Sequence, residues 1–225
     1  MYVHRSHNVE VQRNLVYCTD DARFFRGSDY TYGIIVANEP PPGGFEDGLR
    51  TKNIDIVNNM VTGCQQNFGV WGFGSADDDY PIINMLVAHN TFVNAKSISE
   101  PNEAKNILWT NYNYENVWFK NNIIYQQDGV PIHLVQDYPG LTLENNLWSI
   151  APTPVAVGSG DIVSDPNLVN PNAPTAPNQV DPAWYMLQPS SVAIGAAAPI
   201  DYVFNDFFGN WRDIDPDIGA HELQN

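Results

Sequence analysis

One nine-residue pattern occurs five times in this chain. It consists of an Asn, alternating apolar residues, a polar pair that ends in a second Asn, and a further apolar stretch. The copies span residues 8–16, 53–61, 84–92, 116–124 and 140–148, and Gly140 replaces the leading Asn in the last copy. Self-similarity of this kind is typical of solenoids, in which each repeat is one supersecondary unit stacked on the next. The repeat therefore restricts the fold more than any other feature.

Each copy predicts a strand, a corner and a second strand, because apolar residues alternate on both sides of the polar pair. Asn suits such a corner, since it tolerates left-handed backbone angles and can bond its own chain. Stacked in register, the corner residues would form a ladder of amides that both donate and accept. These residues are Asn14, Asn59, Asn90, Asn122 and Asn146.

A third apolar strand precedes most copies, at residues 33–36, 69–73, 106–109 and 131–134, with a truncated member at 2–4. Three strands per repeat make one coil, and the extra residues of the longer repeats should leave the stack as loops. No long segment keeps a 3.6-residue period, which argues against a helical solenoid. We therefore predict an all-β fold, a parallel β-helix of about five coils with three short strands per coil, over residues 1–150.

These repeats resemble the right-handed parallel β-helix family, which includes the pectate-lyase-like enzymes. A second likeness covers residues 164–168, 187–195, 208–212 and 217–222, whose order is similar to the terminal segment of many secreted bacterial β-helix proteins. The resemblance implies a secreted or cell-surface protein that binds and cleaves a polysaccharide, as a glycoside hydrolase or a polysaccharide lyase. The alternative is a non-catalytic surface stalk, adhesin or glycan-binding protein.

Residues 151–225 are expected to form an irregular C-terminal cap within the same domain. The Pro-rich part, 151–182, cannot lie in a central sheet and should wrap the outside. We expect the charged residues Arg212, Asp215, Asp217 and Glu222 to hold this wrap together. The apolar residues expected to cover the bottom coil are Trp184, Tyr185, Leu187, Ile194, Phe204, Phe207, Phe208 and Trp211. At the other end the N-terminal cap is absent, so a further N-terminal segment or another chain is expected to cover the first coil.

The net charge of the chain restricts the class of partner that it can bind. The chain has 10 Lys and Arg residues against 26 Asp and Glu residues, for a net charge of −16. Such a field repels phosphate backbones and anionic lipids, and no apolar run approaches the roughly 18 residues of a membrane span. We expect a polysaccharide or oligosaccharide as partner, with no nucleic acid and no membrane insertion.

Two cysteines occupy nearly equivalent points of neighbouring coils. Cys18 lies four residues after Asn14, and Cys64 lies five residues after Asn59. Stacked coils are about 4.8 Å apart, which is within disulfide reach. We expect the two side chains to be close, and a bond to form in an oxidising compartment.

In the proteins that this chain resembles, substrate lies along one sheet, and the strand preceding each motif is the expected place. Alternation points Val3, Ile34, Val70, Ile107 and Ile132 into the core. The outward set is Tyr2, His4, Ile35, Trp71, Phe73, Leu108, Thr110 and His133. Acidic and aromatic insertions, such as residues 37–52 and 74–83, would wall this groove.

Several residue types there suit carbohydrate chemistry. A glycosidase needs two carboxyls about 5 to 9.5 Å apart, and Glu46, Asp78 and Asp79 are candidates. A lyase needs a base beside a cation, for which His4 and His133 are candidates. Asp77 and Asp79 could ligate calcium, although their run lacks a spaced calcium-loop pattern and could equally be a solvated acidic loop. The candidate substrate-binding residues are Trp71, Phe73, Arg26, Tyr80 and Tyr112.

Overall fold

The computed structural model describes residues 1–19, 21, 23, 31–39, 51–71, 81–97, 104–110, 113–134 and 136–224. Their strands form three parallel sheets, whose strand orders place the strands of successive coils side by side. Each coil contributes one strand to each sheet, so the chain is a right-handed parallel β-helix, followed by an irregular C-terminal segment. This confirms the predicted fold class.

The three sheets follow the predicted strand, corner, strand order. Sheet A contains β1 (Tyr2–His4), β4 (Tyr32–Ala37), β7 (Gln66–Trp71), β10 (Lys105–Trp109) and β13 (Val130–His133). Sheet B contains β2 (His7–Gln12), β5 (Lys52–Val57), β8 (Ile82–Ala88), β11 (Tyr114–Lys120) and β14 (Leu141–Glu144). Sheet C contains β3 (Leu15–Tyr17), β6 (Met60–Thr62), β9 (Thr91–Val93), β12 (Ile123–Tyr125), β15 (Leu147–Trp148) and β16 (Ile162–Val163).

The interior between the sheets is apolar and rich in aromatic rings. All five residues predicted to point inward from sheet A belong to this core. Phe68 lies within ring-contact distance of Phe92, Trp109 and Phe119. Alternation therefore predicts the inward side of sheet A correctly.

The buried amide ladder forms as predicted. The Oδ1 atom of Asn90 accepts hydrogen bonds from the backbone N–H and the Nδ2 of Asn59, both at 2.9 Å. Asn90 in turn donates from Nδ2 to Asn122 Oδ1 at 3.0 Å. Asp161 adds a sixth rung, because its Oδ1 accepts the backbone N–H of Asn146 at 2.7 Å. The ladder thus ties every coil to the next.

The left-handed residue of each corner is not the one that the sequence suggested. Positive φ angles belong to the residue before each ladder Asn: Arg13, Asn58, His89, Asn121 and Asn145. The ladder Asn is not among the described residues with positive φ, and its amide bonds the rungs on either side. Asn is therefore favoured at the ladder position for hydrogen bonding and at the preceding position for backbone conformation.

Cys18 and Cys64 form a disulfide, with their Cα atoms 4.7 Å apart. The bond joins the first coil to the second just beyond β3 and β6. The predicted proximity is confirmed.

The C-terminal segment packs on the side of the helix rather than over its last coil, which corrects the expectation for its aromatic residues. Tyr185, Leu187 and Ile218 contact the outer face of sheet C, where they bury Met60 and Ile123 among others. Sheet C strands are only two or three residues long, so their outward apolar residues need this cover. The last coil is closed by the 3-10 turn Pro154–Ala156 instead, whose Ala156 is fully buried in the core.

A buried ionic cluster anchors this segment. Arg212 Nη1 lies 2.9 Å from Glu222 Oε2, and Arg212 Nη2 donates to Asn58 Oδ1 at 2.8 Å. Asp217 accepts the backbone N–H groups of Gly195 and Leu223. Three of the four predicted charged residues thus hold the wrap, whereas the fourth, Asp215, is exposed. Within the described ranges, no helix is long and apolar enough to cross a bilayer.

Candidate functional site

A groove of about 750 Å³ runs along the outer face of sheet B, across four coils. Strand register brings Glu10, Asp55, Leu86 and Trp118 side by side on its floor. One wall is a row of Asn side chains, and the other is formed by Ile200 and Tyr202 from the C-terminal segment. The described residues that line it are Asn8, Val9, Glu10, Asn53, Asp55, Asn84, Met85, Leu86, Asn116, Trp118, Lys120, Ile200 and Tyr202.

The Asn wall is a second amide ladder, and it faces solvent. Asn53 Nδ2 donates to Asn8 Oδ1 at 2.8 Å, Asn84 to Asn53 at 3.0 Å, and Asn116 to Asn84 at 2.9 Å. All four residues have φ between 52° and 56°, and Gly140 takes the same place in the fifth coil with φ 85°. Each amide keeps one N–H and one carbonyl lone pair for a ligand. The wall therefore presents regularly spaced donors and acceptors over about 14 Å.

Two carboxyl groups meet on the groove floor. Glu10 and Asp55 are direct partners on the neighbouring strands β2 and β5. Partial burial raises the pKa of Asp55, and the negative charge of Glu10 raises it further. The phenol of Tyr202 lies 3.5 Å from Asp55 Oδ1, and this long hydrogen bond opposes the rise. The pair combines an exposed carboxyl with one that holds its proton to higher pH.

An aromatic ring closes the far end of the groove floor. Trp118 Nε1 donates to Asn116 Oδ1 at 2.9 Å, which fixes the indole against the amide ladder. Lys120 Nζ lies 5.1 Å from the Trp118 ring centroid and 3.5 Å from Glu144 Oε1. The indole is half-buried and held in one orientation by these contacts. Such a ring can stack on the C–H face of a sugar.

The second wall depends on residues far away in the sequence. Val203 and Ile200 pack against Val57, Leu86 and Ala88 on the outer face of sheet B. This apolar contact places Tyr202 over Asp55. This wall of the groove therefore exists only because the C-terminal segment returns to the second and third coils.

The groove among the described residues lies on sheet B. The sequence predicted one on sheet A, and most of its expected walls, residues 37–52 and 74–83, lie outside the described part of the chain, so that groove stays a prediction. Three of the predicted site residues lie among those described. His4 and His133 are on the two edge strands of sheet A, about 19 Å apart across four strand spacings, so one reaction centre cannot contain both. Trp71 is half-buried, donates from Nε1 to Gln66 Oε1 at 3.1 Å and meets the Tyr32 ring edge-on at 4.5 Å. Ile35, which was expected to point outward from sheet A toward the groove, is buried.

His133 keeps one feature that suits acid–base chemistry. Partial burial lowers its pKa, and the positive charge of Lys105 lowers it further. An imidazole that releases its proton more readily than a free histidine therefore lies on the edge strand β13 of sheet A.

The remaining predicted site residues lie outside the described part of the chain, and their roles stay predictions. They are Arg26, Glu46, Phe73, Asp77, Asp78, Asp79, Tyr80 and Tyr112. Among the described residues, no group of three or more His, Cys, Asp or Glu side chains is arranged to hold a metal ion. Calcium bound by Asp77 and Asp79 likewise stays a prediction.

Sequence reasoning missed Glu10, Asp55, Trp118 and Tyr202, although the repeat carries a signal for the first three. Glu10, Asp55 and Trp118 occupy the same third position of the nine-residue pattern in different copies. The shared Asn or Gly at the leading position also marks a column with left-handed backbone, since those residue types accept it most readily. Nothing local in the sequence indicates Tyr202.

Comparison with models of known protein families gives no match, and comparison with curated protein sequences gives none either. The fold and the groove geometry therefore carry the functional argument.

Proposed function

We propose that this protein is a glycoside hydrolase that binds and cleaves a neutral polysaccharide in the groove of sheet B. The observation that carries the proposal is the pairing of Glu10 with Asp55 on neighbouring strands, in a groove walled by an amide ladder. The resemblance of the repeats to pectate-lyase-like β-helix proteins supports a polysaccharide as substrate.

The two carboxyls suit the roles that glycoside hydrolysis requires. The raised pKa of Asp55 suits a general acid, which protonates the leaving glycosidic oxygen. Glu10 would attack the anomeric carbon as a carboxylate and form a glycosyl ester. Asp55 would then take a proton from the water that breaks this ester. Neighbouring strands lie about 4.8 Å apart, close to the 5 to 5.5 Å carboxyl separation of retaining enzymes, so retention of configuration is expected.

The charges around the groove favour a neutral sugar over a uronate. Among the described residues that line it, Lys120 is the one cation, and Glu144 neutralises its charge. Glu10 and Asp55 would repel a substrate carboxylate. The exposed amides instead match sugar hydroxyls, which both donate and accept hydrogen bonds.

A location outside the cytoplasm is part of the proposal. The Cys18–Cys64 disulfide supports an oxidising compartment, and the resemblance of residues 164–222 to the tails of secreted bacterial β-helix proteins agrees with it. A polysaccharide would be encountered there, in solution or at a cell surface.

Reducing-sugar release from soluble xylan, mannan and β-glucan tests the proposal. The wild-type protein is expected to cleave at least one of them, and Glu10→Gln to lose at least about 100-fold in rate while still binding it by calorimetry. Glu115→Gln is the matched control, since Glu115 is an exposed acid on β11 that does not line the groove. Binding without turnover by the wild-type protein would overturn the hydrolase and favour a glycan-binding protein. If the wild-type protein neither bound nor cleaved any of these polysaccharides, the site itself would be overturned.

A second candidate is a polysaccharide lyase acting on sheet A. The specific observation in its favour is His133, a half-buried imidazole on β13 whose pKa is lowered by burial and by the positive charge of Lys105, as suits a base. Such a lyase would produce unsaturated uronides from alginate or pectate, with a rise in ultraviolet absorbance. The lyase would be supported over the hydrolase if the wild-type protein raised the ultraviolet absorbance, with or without added calcium, and if His133→Ala did not.

A further inference from the structure

A smaller depression of about 100 Å³ continues the groove past the acid pair. The two depressions share Glu10, Asp55 and Tyr202. From the acid pair, the larger groove follows the amide ladder toward Trp118, whereas the smaller depression follows β2 and β5 toward Phe204. Glu10 and Asp55 therefore lie between two arms of one continuous surface.

The far end of the smaller arm carries unusually exposed aromatic rings. Phe204 is 55% exposed and Trp211 is 70% exposed, and their ring centroids are 6.3 Å apart. Ile214, close in sequence to Trp211, is 85% exposed. Clusters of large exposed apolar side chains commonly mark binding sites. Phe204 lines the smaller arm, and Trp211 extends its aromatic surface through their ring contact.

Hydrogen bonds fix the backbone of the loop that carries this aromatic pair. Arg212 N–H donates to Phe204 O at 2.8 Å and closes the loop between the rings. The fully buried Asp206 accepts the backbone N–H groups of Phe208, Asn210 and Glu222 and so fixes the loop from inside. The loop is tied to the second coil, because Asn58 Nδ2 donates to Asn205 O at 2.7 Å. A rigid aromatic surface binds with little loss of conformational entropy.

We infer that Phe204 and Trp211 form a distal sugar-binding platform on the opposite side of the acid pair from the amide ladder. The inference rests on the proposed hydrolase function and deepens it. One glycan chain would occupy both arms, with sugar residues stacked on the rings through their C–H faces and others bonded to the amides. A cleavage centre with binding surfaces on both sides acts on internal bonds, so the enzyme is assigned an endo mode of action.

Chain-length dependence of cleavage tests this assignment. End-labelled xylan, mannan and β-glucan tetrasaccharides and octasaccharides serve as probes, with Trp211→Ala and Phe204→Ala as variants. We expect either variant to lower kcat/KM for the octasaccharide about tenfold, and to change it less than about twofold for a tetrasaccharide that fits one arm. The position of the labelled cut should shift in the octasaccharide. Both side chains are largely exposed, so the variants should fold.

The control and the contrary outcomes separate this inference from the proposed function. Phe208→Ala removes an exposed ring of the same loop that packs against Phe207 and His221, whereas Trp211 packs against Phe204, so it should leave both substrates unaffected. Equal effects of Trp211→Ala on short and long substrates, or none on either, would overturn the platform while the hydrolase stands. Cleavage only from one chain end would overturn the endo mode. Failure of the wild-type protein to cleave any probe would overturn the hydrolase, and the platform with it.

Discussion

Replacing Asn90 with alanine removes the middle rung of the buried ladder. Its Oδ1 accepts the backbone N–H of Asn59 at 2.9 Å, and its Nδ2 donates to Ile56 O at 2.8 Å. Asn90 is fully buried, so no water can replace these bonds without a rearrangement. Each buried polar group left without a partner costs about 1 to 3 kcal/mol. With the Asn59 N–H and the Ile56 carbonyl affected, we expect Asn90→Ala to lower the free energy of unfolding by about 2 to 6 kcal/mol.

The exposed ladder supplies the matched control for this prediction. Asn84 lies on the same coil, also bonds its neighbours through an amide, and has φ 52°, which glycine adopts without strain. Asn84→Gly should therefore cost less than about 1 kcal/mol, because water replaces the lost bonds. Urea unfolding followed by tryptophan fluorescence measures both values. Equal losses in the two variants, or a loss under about 1 kcal/mol for Asn90→Ala, would refute the argument from burial.

Three other variants test the electrostatics and the cross-link. Burial lowers the pKa of His89 well below its usual range, so the wild-type protein should lose stability as pH falls below about 6.5. Asn58 and Asn121 occupy the equivalent position in neighbouring coils, so His89→Asn should fold and should reduce this loss of stability in melting curves recorded at different pH. Because the pKa of Asp55 is raised in the folded protein, stability should fall as pH rises above the ordinary pKa of Asp. Asp55→Asn should therefore melt at a higher temperature than the wild type at neutral pH and at the same temperature at pH 3. A gain in melting temperature that does not depend on pH would contradict this effect of the Asp55 charge. The double variant Cys18→Ser, Cys64→Ser should lose about 2 to 4 kcal/mol in urea unfolding, and no loss would contradict a cross-link between the first two coils.

The coils could be predicted from the sequence because their signals are local and repeated. Each copy of the pattern carries its own alternation and its own corner Asn, and five copies fix the register of the stack. The proximity of Cys18 and Cys64 follows from the same register of the stacked coils. The two polar positions of each corner could not be distinguished in this way, because Asn is suited to both.

The candidate site was harder to predict because its parts come together only in the folded chain. Tyr202 reaches Asp55 across 147 residues, through apolar packing of Ile200 and Val203 on sheet B. The tail residues carry no periodic pattern, so the sequence could not show which face they cover. The tail packs on the sides of the β-helix, which leaves Phe204 and Trp211 exposed rather than buried beneath the last coil.

A crystal structure of the Glu10→Gln variant with a neutral octasaccharide decides which face of the β-helix handles the glycan. The account predicts sugar residues along Asn53, Asn84 and Asn116, with a glycosidic oxygen within hydrogen-bond distance of Asp55 and the chain continuing toward Phe204. An octasaccharide bound over Trp71 and His133 on sheet A, with the groove of sheet B empty, would contradict it.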